Sequence, residues 1–495
     1  MEQVTVKFLN PTTVLVTGSD ALLKWREKQT LLVPGHQFTP RFKRGQWDGY
    51  YSPGAWCRLR PDNLWELRCS RGLLGRLATT FRVVTTGEPN KQHLFPQGDK
   101  LDDLRDYQQE AMLAAMQHQW GRIALATNAG KGAIIALLAA AAAALNIPVL
   151  ILCDELAVFD ALEEEITKWT SLTPGHVVAK TKTPPTDQLV TIAMVPTLAR
   201  RLADKKKDPA PWQKWTARHG MVLIDEADKA TAPTWRRILA NAKQSRWRLG
   251  FSGTFPDPKV DPYADLKLDE LMGPVLIRAK NRELVAQKIS ATPFVTLHSF
   301  NVTNVLDGGL KDWWKLTGPQ RRRWVYEATI MNNDARHQFI QSLIQPGVPT
   351  AIIVNRVAHG QALTDAIPGA VFLDGSANAK ERQSVLTDFQ QGKINILIVT
   401  KLLDRGTNRL GHTADLLFVS GEGSNRQTLQ RIGRGLRRAG GKEFLRLVDV
   451  IDRVDLPRGK KNTFLHRAAK YLHGAGRKRI QLYNDEGFAV EIANG

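Results

Sequence analysis

Apolar and polar residues alternate near the start of the chain, in "VTVKFL" and again in "TVLVT", with the turn "NPT" between them. A period of two puts one face of a strand on a core and the other in solvent, so short strands are expected here. "DALLKWREKQ" has the spacing of a short helix, with Asp20 as its cap. "FTPRFKRGQWDGYYSPG" is turn-rich, basic and aromatic, and Pro, Gly and polar residues gather in "TTGEPNKQHLFPQGD". Residues 1–96 are therefore expected as a small β-rich domain.

From about residue 100 the pattern changes. "RIALAT", "PVLILCD", "LVTIAMV", "MVLIDEAD" and "RLGFSGT" are apolar runs without alternation, separated by helical stretches. Such runs suit strands buried on both faces of a parallel sheet. A second series, "TAIIVN", "AVFLD", "INILIVT", "ADLLFVS" and "FLRLVDV", repeats the pattern. The expectation is an α/β protein with two tandem parallel-sheet domains, 97–284 and 285–455, and a C-terminal tail, 456–495, holding the helix "NTFLHRAAKYLH". The longest apolar run, Ala133 to Leu145, is shorter than the roughly 20 residues that span a bilayer, and reads as a buried helix.

Charge changes the picture. Sixty-nine Lys and Arg stand against 48 Asp and Glu, a net +21 over 495 residues. That excess attracts a polyanion, and nucleic acid is the first candidate. Cys57, Cys69 and Cys153 have no CxxC spacing, so a reducing compartment such as the cytoplasm is expected and a zinc site is not. The N-terminus lacks the basic-then-apolar plan of a secretory signal.

The chemistry concentrates at two strand ends. "LATNAGKG", residues 125–132, follows the strand "RIALA" and opens a helix. Backbone N–H groups of such a turn cradle phosphates, helped by the helix dipole. Thr127, Asn128, Ala129 and Gly130 form the loop, Lys131 can neutralise the β and γ phosphates, and Gly132 stands where a hydroxyl would normally hold magnesium. In "VLIDEAD", Asp225 and Glu226 end an apolar strand. Ligands in open α/β sheets bind at that edge. Asp225 is the candidate Mg²⁺ ligand, and Glu226 the residue that orients and deprotonates water.

In this order the motifs resemble those of a superfamily 2 helicase over about residues 100–450. The resemblance implies two RecA-like domains facing each other across an ATP site. "LRDYQ" resembles the adenine-reading motif, which implies Gln108 and Arg105 at the base. "FSGTF" resembles the Ser-Ala-Thr motif that couples hydrolysis to nucleic-acid movement, which implies Ser252 and Thr254 on the DNA side. "VTKLLDRGTN" implies Gly406 and Asn408 near the ribose and phosphates. "LQRIGRGLRR" aligns Gln430, Gly433, Arg434 and Arg437 with the Gln-x-x-Gly-Arg-x-x-Arg motif, so that Arg434 and Arg437 would act as arginine fingers. Departures are Gly132, Leu125 where a glycine is commoner, and "CDELAV" where a Pro-Thr segment is usual.

"FTPRFKRGQWDGYY" is similar to a segment of the phage UvsW-type helicases, which remodel branched DNA. By that resemblance Arg41, Lys43 and Arg44 contact phosphates, while Trp47, Tyr50 and Tyr51 stack or wedge. The alternative for Trp47 and the tyrosines is the core of a small domain. The expectation is an ATP- and Mg²⁺-dependent DNA helicase or translocase, monomeric and acting on branched or forked DNA. Its rivals are an RNA helicase and a nucleotide-gated DNA-binding protein that does not hydrolyse ATP.

Overall fold

The computed structural model describes the chain apart from residues 88–93, 95–100, 127, 205–207, 307–311, 401–412, 422–424, 439–441, 457–463 and 494–495, and apart from the side chains of 379, 425–427, 430 and 434. It forms two compact units, Met1–Ala279 and Lys280–Gly495.

The first unit begins with the expected short strands. They are β1 (Gln3–Asn10), β2 (Thr13–Gly18), β3 (Leu31–Leu32), β4 (Tyr50–Tyr51), β5 (Trp56–Leu59), β6 (Trp65–Ser70) and β7 (Arg82–Thr86). Five make a sheet ordered β5-β6-β2-β1-β7, and β3 pairs with β4. The alternation does what a period of two requires: Val4, Val6, Val14 and Val16 are buried, and their neighbours face outward. The first helix runs Asp20–Lys28, but its cap is Ser19, whose Oγ accepts from Ala21 N at 3.2 Å. Asp20 is instead the first helical residue, where its charge suits the dipole.

The unbroken apolar runs become a seven-stranded parallel sheet of β8 (Trp120–Leu125), β9 (Val149–Cys153), β10 (Gly175–Val177), β11 (Val190–Met194), β12 (Met221–Asp225), β13 (Trp247–Ser252) and β14 (Val275–Ala279). Its order is β10-β11-β9-β12-β13-β8-β14, and every pairing is parallel.

The β-rich module shares its interior with this sheet's layers. Leu266, from the helix Pro262–Met272, lies in the module's own core. Asp265 and Asp269 of that helix each pair with Arg76 of the module and with Arg122 of β8. Arg122 is almost wholly buried, and its guanidinium lies 5.4 Å from the Phe255 ring centroid. Residues 1–96 are thus a sheet of their own, but not a separately packed body.

The second unit holds β15 (Thr292–Asn301), β16 (Thr350–Ile353), β17 (Ala370–Leu373), β18 (Ile396–Val399), β19 (Asp415–Phe418), β20 (Phe444–Arg453) and β21 (Ala489–Ile492). The sheet is again wholly parallel, ordered β17-β18-β16-β19-β20-β15-β21. Numbered within each parallel sheet, both run third, fourth, second, fifth, sixth, first, seventh. The segment 456–495, expected as a tail, completes this repeat. β21 pairs with β15, and the helix Phe464–Asp485 is anchored by Arg479 Nε and Tyr483 OH, each donating to Asp449 Oδ2 at 2.8 Å. No described helix is long and apolar enough to cross a membrane.

Candidate nucleotide site

The C-terminal edge of the first parallel sheet gathers the candidate residues. β8 delivers the loop that ends in Gly130, and the helix Lys131–Ala144 starts there. Gly130 has φ +72°, a conformation that disfavours a side chain, and a Cβ there would stand 2.5 Å from Gln108 Nε2. The left-handed φ favours glycine at the helix N-terminus, and a side chain there would displace the Gln108 amide.

Gln108 is buried and engaged. Its Nε2 donates to Ala129 O at 2.9 Å and Gly130 O at 3.3 Å, and its Oε1 accepts from Arg105 N at 3.0 Å. Tyr107 OH donates to Ala129 O at 2.9 Å, and Arg105 Nη1 donates to Tyr107 OH at 3.2 Å. The "RDYQ" segment therefore braces the loop from behind. Lys131 Nζ donates to Leu125 O and Ala126 O, both at 3.3 Å, so the ammonium folds over the loop. Asn128 lies in the described turn, whereas Thr127 lies outside the described residues.

Gly132 has a packing reason. A Cβ there would meet Glu165 Cγ at 2.7 Å and Glu165 Cβ at 3.2 Å. Glu165 belongs to the neighbouring helix Leu156–Trp169 and accepts from Trp169 Nε1 at 2.8 Å. A side chain at 132 would therefore collide with the packed shaft of Glu165, a neighbour that sequence spacing could not reveal.

β12 ends at Asp225, and the next residue turns sharply. Glu226 has φ +52° and ψ +43°. Holding a non-glycine residue there costs on the order of 1–3 kcal/mol, and such strain gathers at functional sites. The turn brings Glu226 N to Asp225 Oδ1 at 3.0 Å. Burial pushes the Asp225 carboxyl up to about 6, Glu226 adds to the rise, and Lys131 and Lys229 oppose it. A half-buried carboxylate with a second acid beside it fits a hard divalent cation that needs few protein oxygens. Among the described residues, no cluster of three or more His, Cys, Asp or Glu forms a metal cage.

β13 lies between β12 and β8, so its C-terminal end stands between the acids and the loop. Ser252 Oγ donates to Asp228 Oδ1 at 2.9 Å, and Thr254 Oγ1 donates to Asp228 Oδ2 at 3.4 Å. Ser252 is fully buried. These hydroxyls are directed into the "DEAD" turn. Lys229 Nζ reaches Asp154 at 2.9 Å and Glu155 at 3.2 Å. The acids that replace the usual Pro-Thr thus share one local cation. Asp228, Lys229 and Tyr107 were missed as parts of the site because their partners are distant in sequence.

The remaining candidates are unevenly placed. Arg41, Lys43 and Arg44 are exposed at the short helix Pro40–Lys43. Trp47 is half-buried outside the module's core cluster, its Nε1 donating to Tyr50 O at 2.8 Å, so the core reading fails for it. Tyr50 is exposed. Tyr51 is not a wedge: it packs against the core, its hydroxyl donates to Glu270, and Lys267 Nζ lies 3.6 Å from its ring centroid. In the second unit, the helix Asn425–Gly435 carries Gln430 and Arg434, whose side chains lie outside the described residues, as do Gly406 and Asn408. Arg437 follows the helix, half-buried and bridged to Ser290.

Residues 101–257 match the family described as "Type III restriction enzyme, res subunit", and 336–439 match "Helicase conserved C-terminal domain". The "ATP-dependent DNA helicase uvsW" of Enterobacteria phage T4 is 23% identical over 491 residues, covering 92% of this chain and 91% of its own. The "DNA 3'-5' translocase XPB2" of Sulfurisphaera tokodaii is 23% identical over 388 residues, covering 71% of this chain and 82% of its own. Among solved structures, the "ATP-dependent Type ISP restriction-modification enzyme LlaBIII bound to DNA" superposes with a TM-score of 0.53 at 14% identity, over 81% of this chain and 32% of that one. That likeness shows the fold alone.

Proposed function

Because this chain belongs to superfamily 2 of the helicases and is similar to the phage UvsW-type members, we propose that it is an ATP-driven DNA translocase that remodels branched or forked DNA. One observation carries the reading: the loop at Lys131, the acid pair Asp225-Glu226 and the Ser252–Asp228 bond lie on one edge of three neighbouring strands, β8, β13 and β12. Similarity to proteins described as a DNA helicase and a DNA translocase, with the net charge of +21, favours DNA as the polymer.

Bound Mg²⁺-ATP supplies the phosphoanhydride to be cleaved. The backbone of Asn128 to Gly130 would cradle its phosphates, and the Lys131 ammonium would exchange its two loop carbonyls for phosphate oxygens. Asp225 would hold the metal, with water in place of the hydroxyl absent at Gly132, since magnesium usually keeps several waters. Glu226, set by its left-handed turn, would orient the attacking water and take its proton. Asp228, held by Ser252 and Thr254, would pass the change at the acid pair to the end of β13. By the motif they share, Gln430, Arg434 and Arg437 would stabilise charge on the transferring phosphoryl group. Gln108 and Arg105 would serve the base indirectly, through the loop they brace. Gly132 does not favour a non-hydrolysing protein, because packing against Glu165 accounts for it.

The test is ATP turnover with no polymer, single-stranded DNA, duplex, fork and RNA. The proposal expects DNA to stimulate turnover, most strongly as a fork. Stimulation by RNA alone would replace it with an RNA helicase. ATP binding without turnover on any polymer would replace it with a gated binder.

A further inference from the structure

The connection between the first and second strands has a different content in each sheet. In the first it holds the phosphate loop and one buried helix. In the second, from β15 to β16, it includes "DWWKLTGPQRRRWVY", residues 312–326. This segment packs with the C-terminal helix Phe464–Asp485 around a small apolar cluster of Val325, Ile330, Phe464 and Leu472, with Trp313 and Trp324 against it.

The surface of this cluster is basic and aromatic together. Arg321 and Arg467 lie over the Trp313 ring, at 5.3 and 5.1 Å from its centroid, and Arg322 lies over Tyr471 at 5.7 Å. Seating a guanidinium on a ring restricts the side chain and leaves N–H edges available to an anion. Among the described residues, Lys315 and Arg323 pair with Asp312 and Glu327, but no carboxylate pairs with Arg321, Arg322, Arg467 or Lys470. Beside these cations Trp314 leaves 63% of its surface exposed, touching Trp313 edge-on at 6.4 Å between centroids. A large exposed ring among uncompensated cations has no role in the core.

We propose that this face of the second unit is a single-stranded nucleic-acid contact, in which an unstacked base lies on Trp314 and the flanking phosphates meet Arg322, Arg467 and Lys470. The inference deepens the proposed function and rests on it. Charge decides the occupant: a polyanion compensates the open cations, whereas an apolar protein surface would bury them without partners. The exposed ring decides the strand state, because a base must leave a duplex to stack on it.

The experiment measures binding of the full chain to a fluorescein-labelled oligo-dT strand and to a duplex of equal length, by anisotropy. It also exposes the chain to the same strand carrying 5-iodouracil and maps the photocrosslinks by peptide mass spectrometry. Trp314→Ala should weaken strand binding roughly 5- to 100-fold, with a smaller loss on duplex, and Trp314→Phe should recover most of it. Each of Arg322→Ala and Lys470→Ala should flatten the salt dependence of strand binding, lowering the slope of log K against log salt by about 0.7. Crosslinks should fall within 312–326 or the helix Phe464–Asp485. Thermal unfolding of each variant should match the parent, so that weaker binding is not misfolding. If the parent binds the strand but Trp314→Ala binds it equally and crosslinks fall elsewhere, the inference is overturned, a protein partner becomes the better occupant, and the translocase reading stands. If the parent binds no DNA at all, both fail.

Discussion

The two parallel sheets share one strand order, and both bury arginine–aspartate pairs, Arg122 with Asp265 and Asp269 in the first and Arg336 with Asp452 and Arg479 with Asp449 in the second, but they differ in what they hold at the surface. In the first unit, half-buried Arg76 and buried Arg122 close a square with Asp265 and Asp269, which fastens the β-rich module to the sheet that carries the phosphate loop. In the second unit Arg321, Arg322 and Arg467 lie on aromatic rings at the surface. The same topology therefore does not assign the same work. What differs is the connection after the first strand, which holds a phosphate loop in one sheet and a basic, aromatic segment in the other.

The largest effect on stability is expected where charge is buried. Arg122→Ala leaves Asp265 and Asp269 without their interior cation, and removing one member of a buried pair costs about 3–5 kcal/mol. Calorimetry should show the first unit melting earlier with the second unchanged. By the same logic, deleting residues 1–96 strips Leu266, Asp265, Asp269 and Glu270 of partners. It should leave a poorly folded remainder rather than an intact ATPase core.

A smaller effect is expected inside the phosphate loop. Gly132→Ser restores the usual hydroxyl but overpacks against Glu165, at a cost of about 1–3 kcal/mol. Pairing it with Glu165→Ala should recover stability. The double variant, and not the single one, should then lower the Mg²⁺ concentration for half-maximal ATP turnover. A single variant as stable as the parent would show that Glu165 yields easily and that packing is not why glycine stands there.

Acid should also separate the units. In the second, burial lowers His298, His337, His359 and His473, His359 well below 6.5, with nearby arginines adding to each. In the first, His219 is lowered to about 4, chiefly by burial. A lowered histidine resists protonation when folded, so the unfolded chain takes up the proton first. Stability from these groups is complete above 6.5 and falls as pH drops below it. Melting followed from pH 7.5 to about 5 should shift more for the second unit, and His359→Gln should reduce that shift. The smallest effect is expected at the surface: Arg322→Ala and Lys470→Ala should change the second unit's stability by no more than about 0.5 kcal/mol.

Much of this was legible from sequence, for identifiable reasons. β8, β9, β11, β12 and β13 are buried along almost their whole length, so an unbroken apolar run marks each. β15 was not foreseen because "TPFVTLHSFN" alternates, with Phe294 facing out, and lacks such a run. β21 has only four residues, mostly exposed, and gains its place from pairing with β15. Lys131, Asp225 and Glu226 could be read because each sits at the end of a recognisable strand or loop. The brace from Gln108 to the loop, the seating of Ser252 on Asp228 and the collision of residue 132 with Glu165 join positions 20 or more residues apart. No local pattern encodes those. The Trp314 face escaped notice because it has no motif; only burial shows that one tryptophan of the pair is left outside.

The central claim is that the acid after β12 drives ATP hydrolysis on DNA. It is tested most directly by fork-stimulated turnover of Glu226→Gln beside the parent, with ATP binding measured on both. The account predicts that the variant binds ATP as the parent does while turnover falls about 10²–10⁴-fold, the usual loss with a general base. Turnover close to the parent's, with ATP bound normally, would contradict it.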